Sequence, residues 1–594
     1  MLVEAEEALV EVADRWLADF GRAVSGPDAS AVARLFRGDS HWRDLLALSW
    51  DVMTVSGAGG IAEALRLHAR DARPSGFATD RGRTPPRIVA RSGTESIEAI
   101  FAFATAWGPA EGVVRLIREG EGRDGVKAWT LLTALRDIEG FEETVGRARP
   151  TGEAYSREFS GPNWRDRRQD AAAYAGRDPA VLVVGGGQAG LSIAARLTQL
   201  GVDTLTVDRG RRVGDNWRNR YHALSLHNQV HVNHLPYMPF PPNWPVYIPK
   251  DKIAGWFESY ADSMELNVWT GTEFAGGAYD AGAGRWSVAL RRADGTTREM
   301  HPRHVVLATG VSGIPSLPDI PGLADFAGAV LHSSEFGQGA DWAGRRALVI
   351  GTGNSGHDIA QDLYSHGASV TMVQRSPTLI VSVEPSAQLP YALYGEGPPL
   401  ADCDLITASI PYRLLKKAHQ MITERTKVLD RDLLDGLARA GFRIDFGPDD
   451  TGWQFKYLER GGGYYFNVGC SDLIVDGSIG LVQFADIDRL VADGARLRDG
   501  TPLPAEHVVL ATGYRGQDVM VRRLFGADVA DRVGRIWGFD PESQELRNMW
   551  TRTGQPGLWF IAGSFAQCRI YSKVLALQIK ACAENIIPLA RPVE

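Results

Sequence analysis

The strongest constraint on this chain is a strand, glycine turn and helix unit that occurs twice. The first copy reads Val181-Leu182-Val183-Val184-Gly185-Gly186-Gly187-Gln188-Ala189-Gly190, and the second Ala347-Leu348-Val349-Ile350-Gly351-Thr352-Gly353-Asn354-Ser355-Gly356. Both fit G-x-G-x-x-G. The first glycine permits a tight turn, the second lets the backbone approach a pyrophosphate, and the third allows close helix–strand packing. The helix start beyond each turn offers free N–H groups and a partial positive charge. The flanks repeat as well. A strand is predicted over 180–184, a helix over 191–200 and a second strand over 202–207. The same order recurs over 346–350, 357–365 and 369–374. Short apolar runs alternating with helical patterns predict parallel sheets. The chain therefore holds two dinucleotide-binding units, with Gly185, Gly187, Gln188, Ala189 and Gly190 cradling one nucleotide and Gly351, Gly353, Asn354, Ser355 and Gly356 the other.

The residues after each second strand separate the two ligands. Asp208, followed by Arg209, closes the first unit, and its carboxylate accepts from ribose hydroxyls as FAD or NAD requires. The second unit ends in Gln374-Arg375-Ser376, where a guanidinium suits a 2′-phosphate and so favours NADPH over NADH. Two further strands, His304 to Gly310 and His507 to Tyr514, each end in Ala-Thr-Gly. They are expected to rejoin these sheets and to place Thr309, Gly310, Thr512 and Gly513 beside the cofactors.

At 594 residues several domains are expected. Residues 1–145 read as a small α+β domain. It has a helix over 8–20, a second helix or buried turn over 42–50, and strands over 96–106, 112–118 and 126–135, with Asp124-Gly125 as the final turn. An Arg-rich linker without periodicity spans 146–178. The first part of the FAD-binding domain is placed at 179–340, an NADPH-binding domain with a helical insertion at 341–505, and the C-terminal part of the FAD-binding domain at 506–594. Strand followed by turn is expected over 557–564, and a helix over 574–585.

Composition narrows the function. A net charge of −8 argues against a nucleic-acid partner. The four cysteines form no C-x-x-C pair, which disfavours a zinc site, bound metal or a disulfide reductase. The acidic start lacks the cationic region of a signal peptide, and no run of about 18 apolar residues predicts a membrane span. A cytoplasmic enzyme is the expectation.

With these motifs in place, the chain resembles the flavin-containing monooxygenases. The most specific element is Phe326-Ala327-Gly328-Ala329-Val330-Leu331-His332-Ser333-Ser334-Glu335-Phe336, which fits the family's F-x-G-x-x-x-H-x-x-x-F/Y/W pattern. Its Phe336 ending is similar to the N/S-oxidising and YUCCA-like branch rather than the Baeyer–Villiger branch. Gly214-Asp215-Asn216-Trp217-Arg218 resembles the flavin-contacting stretch, which makes Trp217 a cofactor residue. The N-terminal pattern resembles the NTF2/SnoaL-like group, whose members often dimerise, so a homodimer is compatible with it.

The resemblance implies an α/β fold of two Rossmann-like domains behind a small NTF2-like domain, with FAD and NADPH as cofactors and O₂ and a small molecule as substrates. It implies that NADPH reduces the flavin, which captures O₂ as a C4a-hydroperoxide. The strip Leu226 to His234 falls where relatives place side chains beside the flavin ring. His227, Asn228 and Gln229 are its catalytic candidates, with Asn228 foremost by analogy. His231, Arg569 and Lys573 are the substrate candidates, and Gln567 joins the cofactor set. His332 reads as a structural link between the nucleotide domains. The strip's polarity favours N-hydroxylation of an amine or amino acid. Oxidative decarboxylation of a 2-oxo acid, Baeyer–Villiger or S-oxidation, and a non-enzymatic redox or ligand sensor are the alternatives.

Overall fold

The computed structural model describes residues 2–119, 125–151 and 160–591, with side chains from Glu6 onward. Asp124 of the expected Asp-Gly turn lies outside the described residues.

The first glycine turn belongs to a sheet of five parallel strands, in the order Asn267–Trp269, Thr204–Val207, Val181–Val184, His304–Leu307 and Leu558–Phe560. The last four are fully buried and have apolar side chains at most positions, as strands covered on both faces must. Leu558–Phe560 rejoins this sheet from the far end of the chain. The second turn belongs to another parallel sheet, ordered Ala329–His332, His507–Leu510, Arg346–Ile350, Ser369–Gln374 and Gly480–Gln483. Each Ala-Thr-Gly segment thus extends a strand lying directly beside a glycine-turn strand. Within the Phe326–Phe336 element, Ala329–His332 is the edge strand. His332 Nε2 donates to the Gly513 carbonyl at 3.2 Å, and its ring meets Tyr514 edge-on.

The helix Phe565–Ala583 packs against Gln188–Gln199 and is buried almost all round. It starts nine residues before the expected helix, because Ser564 and Gln567 form a capping box. The expected linker contains a helix, Trp164–Ala173, opened by an Asn163–Asp166 capping box. It buries no residue, so it leaves no apolar periodicity to read.

The N-terminal unit is a seven-stranded sheet with the helices Leu2–Ser25, Ala29–Arg34 and Ala58–Ala72. Its core is aromatic, with Trp16 stacked on Phe20 and Phe77 on Phe103. The segment 42–50 is not helical. Residues up to Leu45 finish the strand Phe36–Leu45, and Leu46 and Trp50 turn the chain at positive φ. Buried partners explain the extended form. Arg43 reaches Glu545, and Asp44 accepts from Thr133 and the Leu48 and Ser49 amides. This strand pairs parallel with Val126–Leu135, the one exception among otherwise antiparallel described ladders in the unit.

Candidate active site

Both glycine turns open, at the carboxyl ends of their strands, onto one cavity of about 1390 Å³. In the first turn Gly185 has φ +109°, and a Cβ there would meet the Ala308 carbonyl oxygen at 2.7 Å. Gly190 lies beneath the turn, where a Cβ would sit 1.8 Å from the Gly185 oxygen. Asp208 accepts from the Gly186 and Gly210 amides, both at 2.7 Å, which fixes its carboxylate at the cavity wall. Gly187, Gln188, Ala189, Arg209, Trp217, Thr309 and Gly310 line the same cavity. The Trp217 indole nitrogen, Arg220 Nε and the Tyr514 hydroxyl are buried there without partners. Buried polar groups are nearly always hydrogen-bonded, so this wall fits a large polar cofactor such as FAD.

In the second turn Gly351 has φ +118°, and a Cβ would meet the Ala511 oxygen at 2.2 Å. At Gly353 the nearest atom to such a Cβ is 3.8 Å away, leaving room for a pyrophosphate. Asn354, Ser355, Gly356, Ser376, Thr512 and Gly513 complete this wall. Arg375 is exposed at the cavity edge and has no ion pair among the described residues. A charge-assisted hydrogen bond contributes about 1.5–3 kcal/mol. Arg375→Ala is therefore expected to weaken NADPH binding by roughly 10- to 100-fold and to leave NADH binding unchanged. Equal losses for both nucleotides, measured by titration, would remove the 2′-phosphate role.

The polar strip folds differently from its sequence reading. His227 lines the cavity, whereas Asn228, Gln229 and His231 do not. The Asn228 amide donates to Tyr391 Oη at 3.1 Å, and Gln229 donates to Glu384 at 3.2 Å. Asn233 ties the strip together by donating to the Asn228 and Gln229 carbonyls. Half-burial lowers the His231 pKa.

The C-terminal candidates also need correction. Arg569 is buried, with Nε and Nη2 on Asp404, both at 2.7 Å, and Nη1 on the Val232 and His234 carbonyls. These bonds occupy four of its five N–H groups, and Tyr394 also bonds to the guanidinium. Lys573 lies outside the cavity wall, beside Asp137 of the N-terminal unit. Gln567 also lies outside that wall. Its side-chain oxygen accepts from the Ser564 amide and the Tyr457 hydroxyl. The early helix start turns all three away.

Sequence reasoning missed Lys456 and Arg460, whereas Tyr464 falls in Gly461 to Cys470, a stretch whose resemblance to one in larger YUCCA-like relatives implies a cover over the cleft. Lys456, Arg460 and Tyr464 come from the segment around Gly452–Arg460 and Tyr464–Asn467. Lys456 is buried and held by Asp445. Tyr464 is backed by an aromatic cluster outside the cavity wall: it lies 5.1 Å from Phe466 and 5.6 Å from Trp453, which stands 6.0 Å from Tyr391. Phe466 also meets the His227 ring edge-on at 5.5 Å.

Known proteins match this arrangement. A family model described as pyridine nucleotide-disulphide oxidoreductase matches residues 182–391. Indole-3-pyruvate monooxygenase YUCCA1 of Oryza sativa subsp. japonica is 32% identical over 339 residues, covering 57% of this chain and 77% of that protein. Probable indole-3-pyruvate monooxygenase YUCCA3 of Arabidopsis thaliana is 30% identical, covering 56% and 72%. Among solved structures, cyclohexanone monooxygenase bound to ε-caprolactone superposes with a TM-score of 0.52 at 18% identity, covering 68% of this chain and 88% of that one. NADP⁺-bound cyclohexanone monooxygenase from Rhodococcus sp. Phi1 gives 0.50 at 17% identity, covering 68% and 85%. No helix among the described residues is long and apolar enough to cross a membrane. The chain belongs to the flavin-containing monooxygenase family and is an FAD- and NADPH-dependent monooxygenase.

Proposed function

We propose that this monooxygenase acts on a small planar 2-oxo acid, oxygenating it with loss of CO₂. The observation that supports this reading is Tyr464 on the cavity wall, with the rings of Phe466, Trp453 and Tyr391 packed behind it. Such rings favour a flat apolar body over a flexible amine. The relatives named above carry the name of indole-3-pyruvate, an aryl 2-oxo acid. The polarity of Leu226 to His234 alone would favour N-hydroxylation. Its amides, however, are bonded to Tyr391, Glu384 and the strip's own carbonyls, which takes that support away.

When bound, FAD supplies oxygen activation and NADPH the hydride. The chain's residues bind and orient these groups. Asp208 and the first turn hold one nucleotide, and Arg375 and the second turn the other. Tyr464 and its neighbours exclude water from the reacting centre. Within the strip Leu226 and His227 face the cavity, and His227 is the polar one, with Asn228 held behind it by Tyr391.

NADPH consumption screened against aryl 2-oxo acids, amines, amino acids and sulfides tests this, with CO₂ and hydrogen peroxide measured in parallel. The expected result is coupled turnover with aryl 2-oxo acids and one CO₂ per NADPH. Coupled oxygenation of amines or sulfides alone would overturn the reading, and so would hydrogen peroxide as the only product throughout.

A further inference from the structure

We propose that Tyr221, Asp358 and His227 form a proton-delivery unit across the seam between the two nucleotide folds, with His227 as the donor to the cavity. Asp358 sits on Asn354–Ser365, the helix that starts at the second glycine turn. Tyr221 and His227 lie on a long loop within the first fold, between the helices Asp215–Arg218 and Lys250–Ser263. Tyr221 Oη donates to Asp358 Oδ2 at 2.6 Å, and His227 Nε2 lies 3.9 Å from that same oxygen. The first contact is a strong hydrogen bond. The second is beyond hydrogen-bond length but within ion-pair reach. The His227 ring is positioned by Phe466 edge-on, and its backbone carbonyl accepts from Gln388 Nε2 at 2.9 Å. It therefore faces Asp358 on one side and the cavity on the other.

The surroundings explain why the histidine is needed. Burial raises the Asp358 pKa, and the charges of His227 and Arg220 and the Tyr221 hydrogen bond oppose that rise. Tyr465 and Cys470 also face Asp358, and burial holds both in their neutral forms. Tyr514 faces Tyr221. A buried carboxylate with one neutral donor is costly unless a cation completes its shell. Arg220 and His227 are the basic side chains present, and an imidazole, unlike a guanidinium, is a proton-transfer group.

Monooxygenation consumes one proton whichever substrate is bound. Substrate, O₂, NADPH and one H⁺ give oxygenated product, NADP⁺ and water. NADPH supplies the electron pair and one hydrogen; the second hydrogen of water is the proton. His227 delivers it from the imidazolium and regains one from solvent, since its side chain is 19% exposed. Asp358 and Tyr221 are positioning residues that orient the ring.

The test is made on the FAD-loaded enzyme. The His227 titration is followed by NMR of ¹³C-labelled histidine, assigned among the 13 histidines through His227→Gln. The pH dependence of NADPH oxidation under O₂, which also consumes one proton per turnover, is measured alongside. Removing a carboxylate within about 4–6 Å of an imidazolium lowers its pKa by about one unit or more. Asp358→Asn is expected to shift both the NMR titration and the alkaline limb of the rate profile to lower pH by that amount. His227→Gln is expected to abolish the limb and to slow turnover by roughly 100-fold or more, the scale of a lost general acid. An unmoved titration in Asp358→Asn overturns the proposal. Should that variant fail to hold FAD, His227→Gln decides: an alkaline limb that persists in it also overturns the proposal.

Discussion

Gly185→Ala is expected to yield protein without FAD, while Gly351→Ala keeps FAD and loses productive NADPH binding. Both glycines sit at φ values near +110°, which are closed to an L side chain. Such strain costs about 1–3 kcal/mol where the surroundings hold it. Each substitution adds a collision with backbone: 2.7 Å to the Ala308 oxygen in the first turn, and 2.2 Å to the Ala511 oxygen in the second. These carbonyls belong to the Ala-Thr-Gly segments, which are fixed within buried parallel sheets and cannot yield cheaply. The turn must shift instead, and its amides lose their aim at the pyrophosphate. For Gly351→Ala the loss is expected to exceed 10-fold in KM for NADPH, following from about 1.4 kcal/mol or more of strain. Flavin absorbance of the purified variants and NADPH titration measure both halves. Equal loss of FAD in both variants would mean that the turns do not act as separate sites.

This separation was legible because it is local. A glycine turn, the strand before it and the acid or arginine about twenty residues later lie within one supersecondary unit, and their chemistry is readable from spacing. Phe326–Phe336 was legible as a motif, but the edge strand Ala329–His332 inside it was not. What escaped depends on side-chain direction or on distant partners. Asn228 sits within a short irregular loop, where no period states which way an amide points, and its partner Tyr391 lies 163 residues on. Asp358 is one polar residue in an amphipathic helix, and nothing local distinguishes it from a solvated one. Arg569 read as a free cation because its helix was expected to start at 574. The capping box at Ser564 makes it a core residue instead. Lys456 and Arg460 reach the cavity only because the helical insertion folds back over it.

The N-terminal unit gives the second large expectation. Arg43→Met should lower stability by about 3–5 kcal/mol, the cost of breaking one side of a buried ion pair. Arg43 forms a two-pronged pair with Glu545 at 2.8 and 2.7 Å, with side chains only 8% and 13% exposed. Its remaining nitrogen donates to the Ala408 carbonyl and to Tyr571 Oη. Without Arg43, Glu545 keeps the Thr54 hydroxyl and no buried cation. The loss extends beyond the N-terminal unit. Tyr571 stacks on Trp550 at 4.1 Å and belongs to Phe565–Ala583, the helix that follows cavity-lining Gly563. Arg83 with Asp402 and Arg91 with Glu396 fasten the same face to the helical insertion. A unit held this way is a brace for the segments around the cavity, so Arg43→Met should also speed FAD release. The test compares thermal unfolding and FAD release in Arg43→Met, Glu545→Gln and the double variant. Removing both charges should recover part of the stability lost in Arg43→Met, because the unpaired buried carboxylate is then gone. Purely additive losses, with FAD release unchanged throughout, would show that the pair neither couples these residues nor supports the cavity.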